Sequence, residues 1–170
     1  SDPACPRDAE LQAMAAQSEG IELAFDDVSF SYSPGSDPVL DHVSFTAPAG
    51  KTTAVIGSTG SGKSTVIKLL ERFYDVQGGA VTVGGIDVRE LSQSCLRSVL
   101  GYSPQQAFLF SGSVTSNVGY ADPQMPQQRM DAAVDVAQAR EFIEQREEGM
   151  QAAVSQGGTN VSGGQRQRLS

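Results

Sequence analysis

Lysine, histidine and cysteine are scarce in this 170-residue chain. Its one histidine, His42, leaves nothing to build a histidine metal cluster around, so a turn or surface role is expected. The two cysteines, Cys5 and Cys95, form no metal or redox motif and read as reduced thiols. Positive charge is short as well, with 12 Lys and Arg against 20 Asp and Glu, a formal net charge of -8. A surface this acidic argues against broad electrostatic binding to nucleic acid or to an anionic bilayer. No apolar run approaches the ~18 residues of a membrane span, and no secretory signal is visible. The chain as written reads as soluble, which leaves a membrane partner open. Its length suits one domain with a real core.

Residues 1–20 are rich in Ala, Gln, Pro and acids and read as a linker or disordered arm. Ile21 to Tyr32 (IELAFDDVSFSY) suggests one or two strands, SPGSDP a turn, and Val39 to Phe45 a strand again, so an antiparallel β unit is expected over the first 50 residues. Thr52 to Ile56 (TTAVI) is short, apolar and β-branched, and is expected to be a strand buried on both faces. A helix should follow, with Val66, Ile67, Leu69, Leu70 and Phe73 forming a wide apolar face and DVQGG ending it. AVTVGGIDV has the pattern of a hairpin, Leu91 to Arg97 of a short helix, and Ser98 to Tyr102 of a second core strand. Gln127 to Gln145 reads as one amphipathic helix with Met130, Val134 and Ala137 on its inner face.

Between the expected strand and helix stands Gly57-Ser58-Thr59-Gly60-Ser61-Gly62-Lys63-Ser64, which fits G-x-x-x-x-G-K-[ST]. A phosphate needs several N–H groups converging on one point, and only a chain free of Cβ atoms and able to use φ > 0 can wrap so closely. Gly57, Gly60 and Gly62 supply that freedom. A helix starting near Gly62 offers unpaired N–H groups and the positive end of its dipole. Lys63 adds a full charge for the outer phosphates, the Ser64 hydroxyl is a hard ligand for Mg²⁺, and Thr65 can offer a hydroxyl to an inner phosphate.

Asn160 to Ser170 reads NVSGGQRQRLS. Ser162 followed by Gln165 is a capping box, so a second helix should start here, with Gly163 and Gly164 leaving its entrance bare. The phosphate loop with VSGGQRQR about 100 residues on resembles the ATP-binding cassette (ABC) family, and the resemblance runs from Ile21 to the end. It is nearest to exporter-type cassettes. The implied fold is α/β: a P-loop NTPase core with an N-terminal antiparallel β subdomain and a helical subdomain, incomplete at the C-terminus, over residues 21–170.

The resemblance implies ATP and Mg²⁺ as ligands. The phosphate loop from Gly57 to Thr65 would hold them, and Val161 to Gln165 matches the signature motif, with valine for the usual leucine. Tyr32, in FSYSPG, matches the aromatic that stacks on adenine. Gln105, in YSPQQAFLF, matches the Q-loop glutamine that senses Mg²⁺ and the attacking water, with Lys63 as the other catalytic residue. Phe108 to Tyr120 looks like the segment that faces the membrane domain. VSQGGTN stands where exporters commonly carry a glutamate-bearing stretch.

In such a family two cassettes, identical or different, meet head to tail. ATP on one phosphate loop is then met by Ser162, Gly163, Gly164 and Gln165 of the other. The implied place is the cytoplasmic face of the cell membrane, beside the transmembrane domain of one transporter. The sequence ends at Ser170, and the Walker B aspartate, its following glutamate and the switch histidine are not in it. The expectation is a fragment that binds nucleotide and barely hydrolyses it, with open sheet edges. The other readings are a soluble ABC ATPase without a transport role and a non-hydrolysing interaction module.

Overall fold

A computed structural model describes residues 5–17 and 20–170, so the outermost part of the expected arm and positions 18 and 19 lie outside the described residues. The chain divides into two compact units, Ser1–Gly101 and Tyr102–Ser170.

The first unit is built on an antiparallel sheet of four strands in the order β2-β1-β3-β4. β1 spans Leu23–Phe30, β2 Leu40–Ala47, β3 Gly78–Val83 and β4 Ile86–Asp87. Phe25, Val28 and Phe30 of β1 are buried while Asp26 and Asp27 both face out. One residue too many separates Phe25 from Val28 for simple alternation, and the register shifts there against both neighbours. The bulge returns the apolar side chains to one face. Gly84 and Gly85, with φ of 60° and 76°, make the tight β3–β4 turn, so the expected hairpin is present. His42 lies on exposed β2, where its Nδ1 meets Asp27 Oδ1 at 2.8 Å.

Among the described residues the unit also holds the α-helices α1 (Asp8–Gln17), α2 (Lys63–Leu70) and α3 (Gln93–Val99). Helix α1 stands within the segment expected to be a loose arm. Leu11 is fully buried with Phe25, Val81, Val83, Ile86 and Leu96 in one core, and a leucine so buried stabilises by roughly 1.5–3 kcal/mol. Asp8 adds a polar tie: its carboxylate accepts from Ser92 N–H at 2.8 Å, which holds it below the usual carboxylate range. Neither Cys5 nor Cys95 is in a disulfide, and burial pushes the Cys95 thiol up.

Two expected core strands do not form. Thr52 to Ile56 forms no strand and no sheet pairing, with Val55 47% and Ile56 91% exposed. Ser98 and Val99 end α3, and Tyr102 is exposed. A strand buried on both faces needs a neighbour on each edge, and none of the described residues pairs with either segment. For the same reason the face of α2 is narrower than its composition promised. Val66 and Leu69 are buried, whereas Ile67 and Phe73 are exposed. Helix α2 also ends sooner than DVQGG. Arg72 takes φ 53°, and Phe73 N–H closes back on Lys68 O at 2.8 Å, a Schellman-type stop.

In the second unit β5 (Gly112–Ser113) pairs antiparallel with β6 (Ala153–Val154). Around them pack α4 (Val114–Val118), α5 (Gln127–Val136), α6 (Arg140–Glu144) and α7 (Gly163–Leu169). Their core includes Leu109, Val134, Phe142, Ile143, Val154 and Leu169. The single helix expected over 127–145 is thus two. Gln138, at φ 55°, and the bond from Ala139 N–H to Val134 O (2.9 Å) end α5. Met130 and Val134 are buried as expected, and Ala137 is the cap. The antiparallel β subdomain and the mainly helical unit match the expected class of fold.

Candidate functional site

The stretch Lys51 to Leu70 holds all three lysines of the chain and not one Asp or Glu, against a net charge of -8 overall. Within it the phosphate loop leads into α2. Gly62 is the N-cap, at φ 85° and ψ 2°, with no side chain capping the first turn. A Cβ there would lie 2.8 Å from Leu40 Cδ2 and 3.0 Å from Val39 O, so both conformation and space require glycine. Thr65 and Val66 N–H donate to Gly62 O at 2.9 and 3.1 Å, and Ser61 N–H to Ser58 O at 3.2 Å. The N–H groups of Gly60, Gly62, Lys63 and Ser64 meet no acceptor among the described residues. Those amides are therefore open to an anion.

Lys63 Nζ folds back over the loop. It donates to Gly57 O (2.8 Å), Ser58 O (2.6 Å) and Ser61 Oγ (3.3 Å). Three neutral oxygens satisfy its donors without cancelling its charge, which leaves the cation available to phosphate oxygens. No group of three or more His, Cys, Asp or Glu side chains able to hold a metal occurs among the described residues. A Mg²⁺ here would depend on phosphate oxygens plus the Ser64 hydroxyl, a donor set of hard oxygens that suits it.

Tyr32, 33 residues before Thr65 in sequence, shares one hydrogen bond with Thr65 Oγ1 at 3.0 Å. Thr65 is buried, so its hydroxyl meets Tyr32 here. The Tyr32 ring stands edge-on to Phe30 (centroids 5.0 Å, 84°) and Tyr74 (5.2 Å, 86°). Lys68 Nζ lies 5.3 Å from its centroid, a cation–π distance. The fold thus brings Tyr32 to the phosphate loop. Lys68, Tyr74 and Gln77 (whose side chain holds the Ser31 backbone) were missed by sequence reasoning. Only Lys68 left a signal, as one of three lysines on the loop's own helix.

The other candidate residues belong to the second unit. Ser162 Oγ accepts from Gln165 N–H (3.2 Å) and Gln165 Oε1 accepts from Ser162 N–H (3.1 Å), the expected capping box. The Ser162 hydroxyl proton remains free to donate. Gly163 and Gly164 are exposed, with open space where a side chain would stand. Gln105 and its neighbour Gln106 are exposed. Phe108, Phe110 and Tyr120 form an exposed aromatic stack, Phe110 lying flat on Tyr120 at 4.3 Å. Asn117 braces it, accepting from Phe110 N–H (2.8 Å) and donating to Phe110 O (3.0 Å).

Comparisons with known proteins agree on one family. A family model described as ABC transporter matches residues 40–170. An uncharacterized ABC transporter ATP-binding protein of Mycobacterium tuberculosis is 51% identical over 145 residues, 83% of this chain and 24% of that protein. An ATP-dependent lipid A-core flippase of Desulfotalea psychrophila is 37% identical over 161 residues, 95% of this chain and 27% of that one. A bacterial Atm1-family ABC exporter solved with ATP bound superposes with a TM-score of 0.82 at 34% identity, over 88% of this chain and 26% of that one. The chain spans about a quarter of the length of these relatives. No helix of the described residues is long and apolar enough to cross a membrane.

Proposed function

Because the chain belongs to the ABC transporter family, we propose that it is the nucleotide-binding part of an exporter, running from the adenine-stacking tyrosine to the signature helix. One observation carries the reading: backbone amides at Gly60, Gly62, Lys63 and Ser64 with no acceptor among the described residues stand in the same loop as the Lys63 ammonium, in a stretch without carboxylates. That arrangement suits the phosphate groups of a nucleotide.

The roles follow from the chemistry. The loop amides and Lys63 would hold the β- and γ-phosphates, Tyr32 would stack on adenine, and the Ser64 hydroxyl would be the loop's ligand to Mg²⁺. When bound, Mg²⁺ neutralises phosphate charge and orients the terminal group. Ser162, Gly163 and Gly164 of a second cassette, identical or different, close over the γ-phosphate with bare N–H groups and a hydroxyl. The exposed stack of Phe108, Phe110 and Tyr120 meets the transmembrane domain at the cytoplasmic face of the membrane, where apolar rings gain by being covered. Preference of ATP for the closed pair then drives the change of access, since only differential affinity can shift such an equilibrium. No carboxylate lies in the loop stretch Lys51 to Leu70, so the group that positions the attacking water stands outside it.

The test is titration of the chain with ATP, with and without Mg²⁺, alongside Lys63→Ala. The expected outcome is saturable binding, tighter with Mg²⁺, that the substitution weakens by at least about tenfold, roughly one charge-assisted bond. Absence of binding by the parent chain, or equal binding by Lys63→Ala, overturns the reading.

A further inference from the structure

Gln77 is bound three times to the segment leading into Tyr32. Its backbone N–H donates to Ser29 O at 3.2 Å. Its side-chain Oε1 accepts from Ser31 N–H at 2.6 Å, and its Nε2 donates to Ser31 O at 2.7 Å. The assignment of the two amide atoms is forced, because a backbone N–H can only donate. The ladder between β1 and β3 runs from Leu23↔Val83 to Ser29↔Gly78 and stops there. Beyond it, the Gln77 carboxamide gives Ser31 one donor and one acceptor, as a further peptide of β3 would have done.

Tyr32 is the next residue. Its hydroxyl is held by Thr65 on the helix of the phosphate loop, and its ring is flanked by Phe30 and Tyr74. The ring is therefore tied at its tip by α2 and at its root through Ser31. We propose that Gln77 is the positioning residue of Tyr32: it touches no nucleotide, yet sets the ring where a base can stack. The proposal rests on the reading of Tyr32 as the base-stacking ring. Gln77 is exposed, so replacing it disturbs no core.

The experiment separates base from phosphate. Dissociation constants of the chain are measured for Mg²⁺-ATP and for Mg²⁺-tripolyphosphate, which has the same charge-bearing chain and no base. The variants are Gln77→Ala, Gln77→Glu and Tyr32→Ala. Tyr32→Ala sets the ceiling, since loss of one base–aromatic stack weakens binding by about five-fold or more. Gln77→Ala is expected to weaken ATP binding about three- to ten-fold, within that ceiling, and to leave tripolyphosphate unchanged. Gln77→Glu keeps the acceptor for Ser31 N–H and should lose less.

Failure has distinct signatures. If Tyr32→Ala weakens ATP and Gln77→Ala does not, the positioning role falls while the function stands. Equal weakening of ATP and tripolyphosphate by Gln77→Ala marks general damage to the loop and also overturns it. If Tyr32→Ala leaves ATP binding intact, the base is not on Tyr32 and the proposal falls with that assignment. Failure of the phosphate loop itself is read separately, from Lys63→Ala.

Discussion

Glu71 caps the C-terminal end of α2 with nearly all of its surface covered. Burial raises its pKa above 4.5, with Arg97 opposing the effect. The folded state therefore holds this proton more tightly than the unfolded chain. The resulting stability is fully present below pH 4.5 and is lost as the pH rises through the folded-state value. Glu71→Gln should raise the urea midpoint at pH 7 and leave it unchanged near pH 3.5. A variant that is no more stable than the parent at pH 7 would contradict the burial argument. His42 runs the same way: Asp27 raises its pKa, so the pair stabilises below about pH 6.5 and fades above it. Residue scale is also where sequence reasoning failed at helix ends. Arg72 and Gln138 sit at φ of 53° and 55°, in positions where glycine normally announces the stop. With no glycine to mark them, the sequence pattern runs past both helix ends.

At the scale of elements, the bulge of β1 and its neighbour Gly79 belong together. Gly79 has φ 72°, and a Cβ there would fall on the carbonyl oxygens of Asp26 and Asp27. Gly85 has φ 76° with open space around it. Gly85→Ala thus tests conformation alone and should cost about 1–2 kcal/mol. Gly79→Ala adds a collision with backbone that cannot rotate away, about 1–3 kcal/mol more. Equilibrium denaturation of both checks the difference, and equal losses would mean that the bulge yields freely. The hairpin of β3 and β4, the helix after the phosphate loop and the capping box of α7 were legible because each is written in adjacent residues. Thr52 to Ile56 has the residue types of a buried strand, but no strand among the described residues pairs with it. Helix α1 was misread because an Ala- and Gln-rich stretch looks solvated until Leu11 finds its core.

For the molecule as a whole, the exposed run at Val55 and Ile56 is the main liability. β-branched residues in an exposed segment without sheet pairing present N–H and C=O groups to any similar segment of another copy. Ile56→Lys should reduce concentration-dependent light scattering. Since Ile56 packs against almost nothing, the change in stability should stay within about 0.5 kcal/mol. A large loss of stability would show that the segment is paired in solution.

What the amino-acid order determined by itself was the local chemistry: which glycines can wrap a phosphate, which serine caps a helix, which two residues turn a hairpin. These depend on φ preferences and spacings within a turn or two of chain, and so they survive without any tertiary context. Only the tertiary structure decided that Tyr32 meets Thr65, that Gln77 braces Ser31, and that Ile56 stands in solvent. Each of these depends on what lies across the fold, and a hydrogen bond or a buried face exists only when both partners arrive.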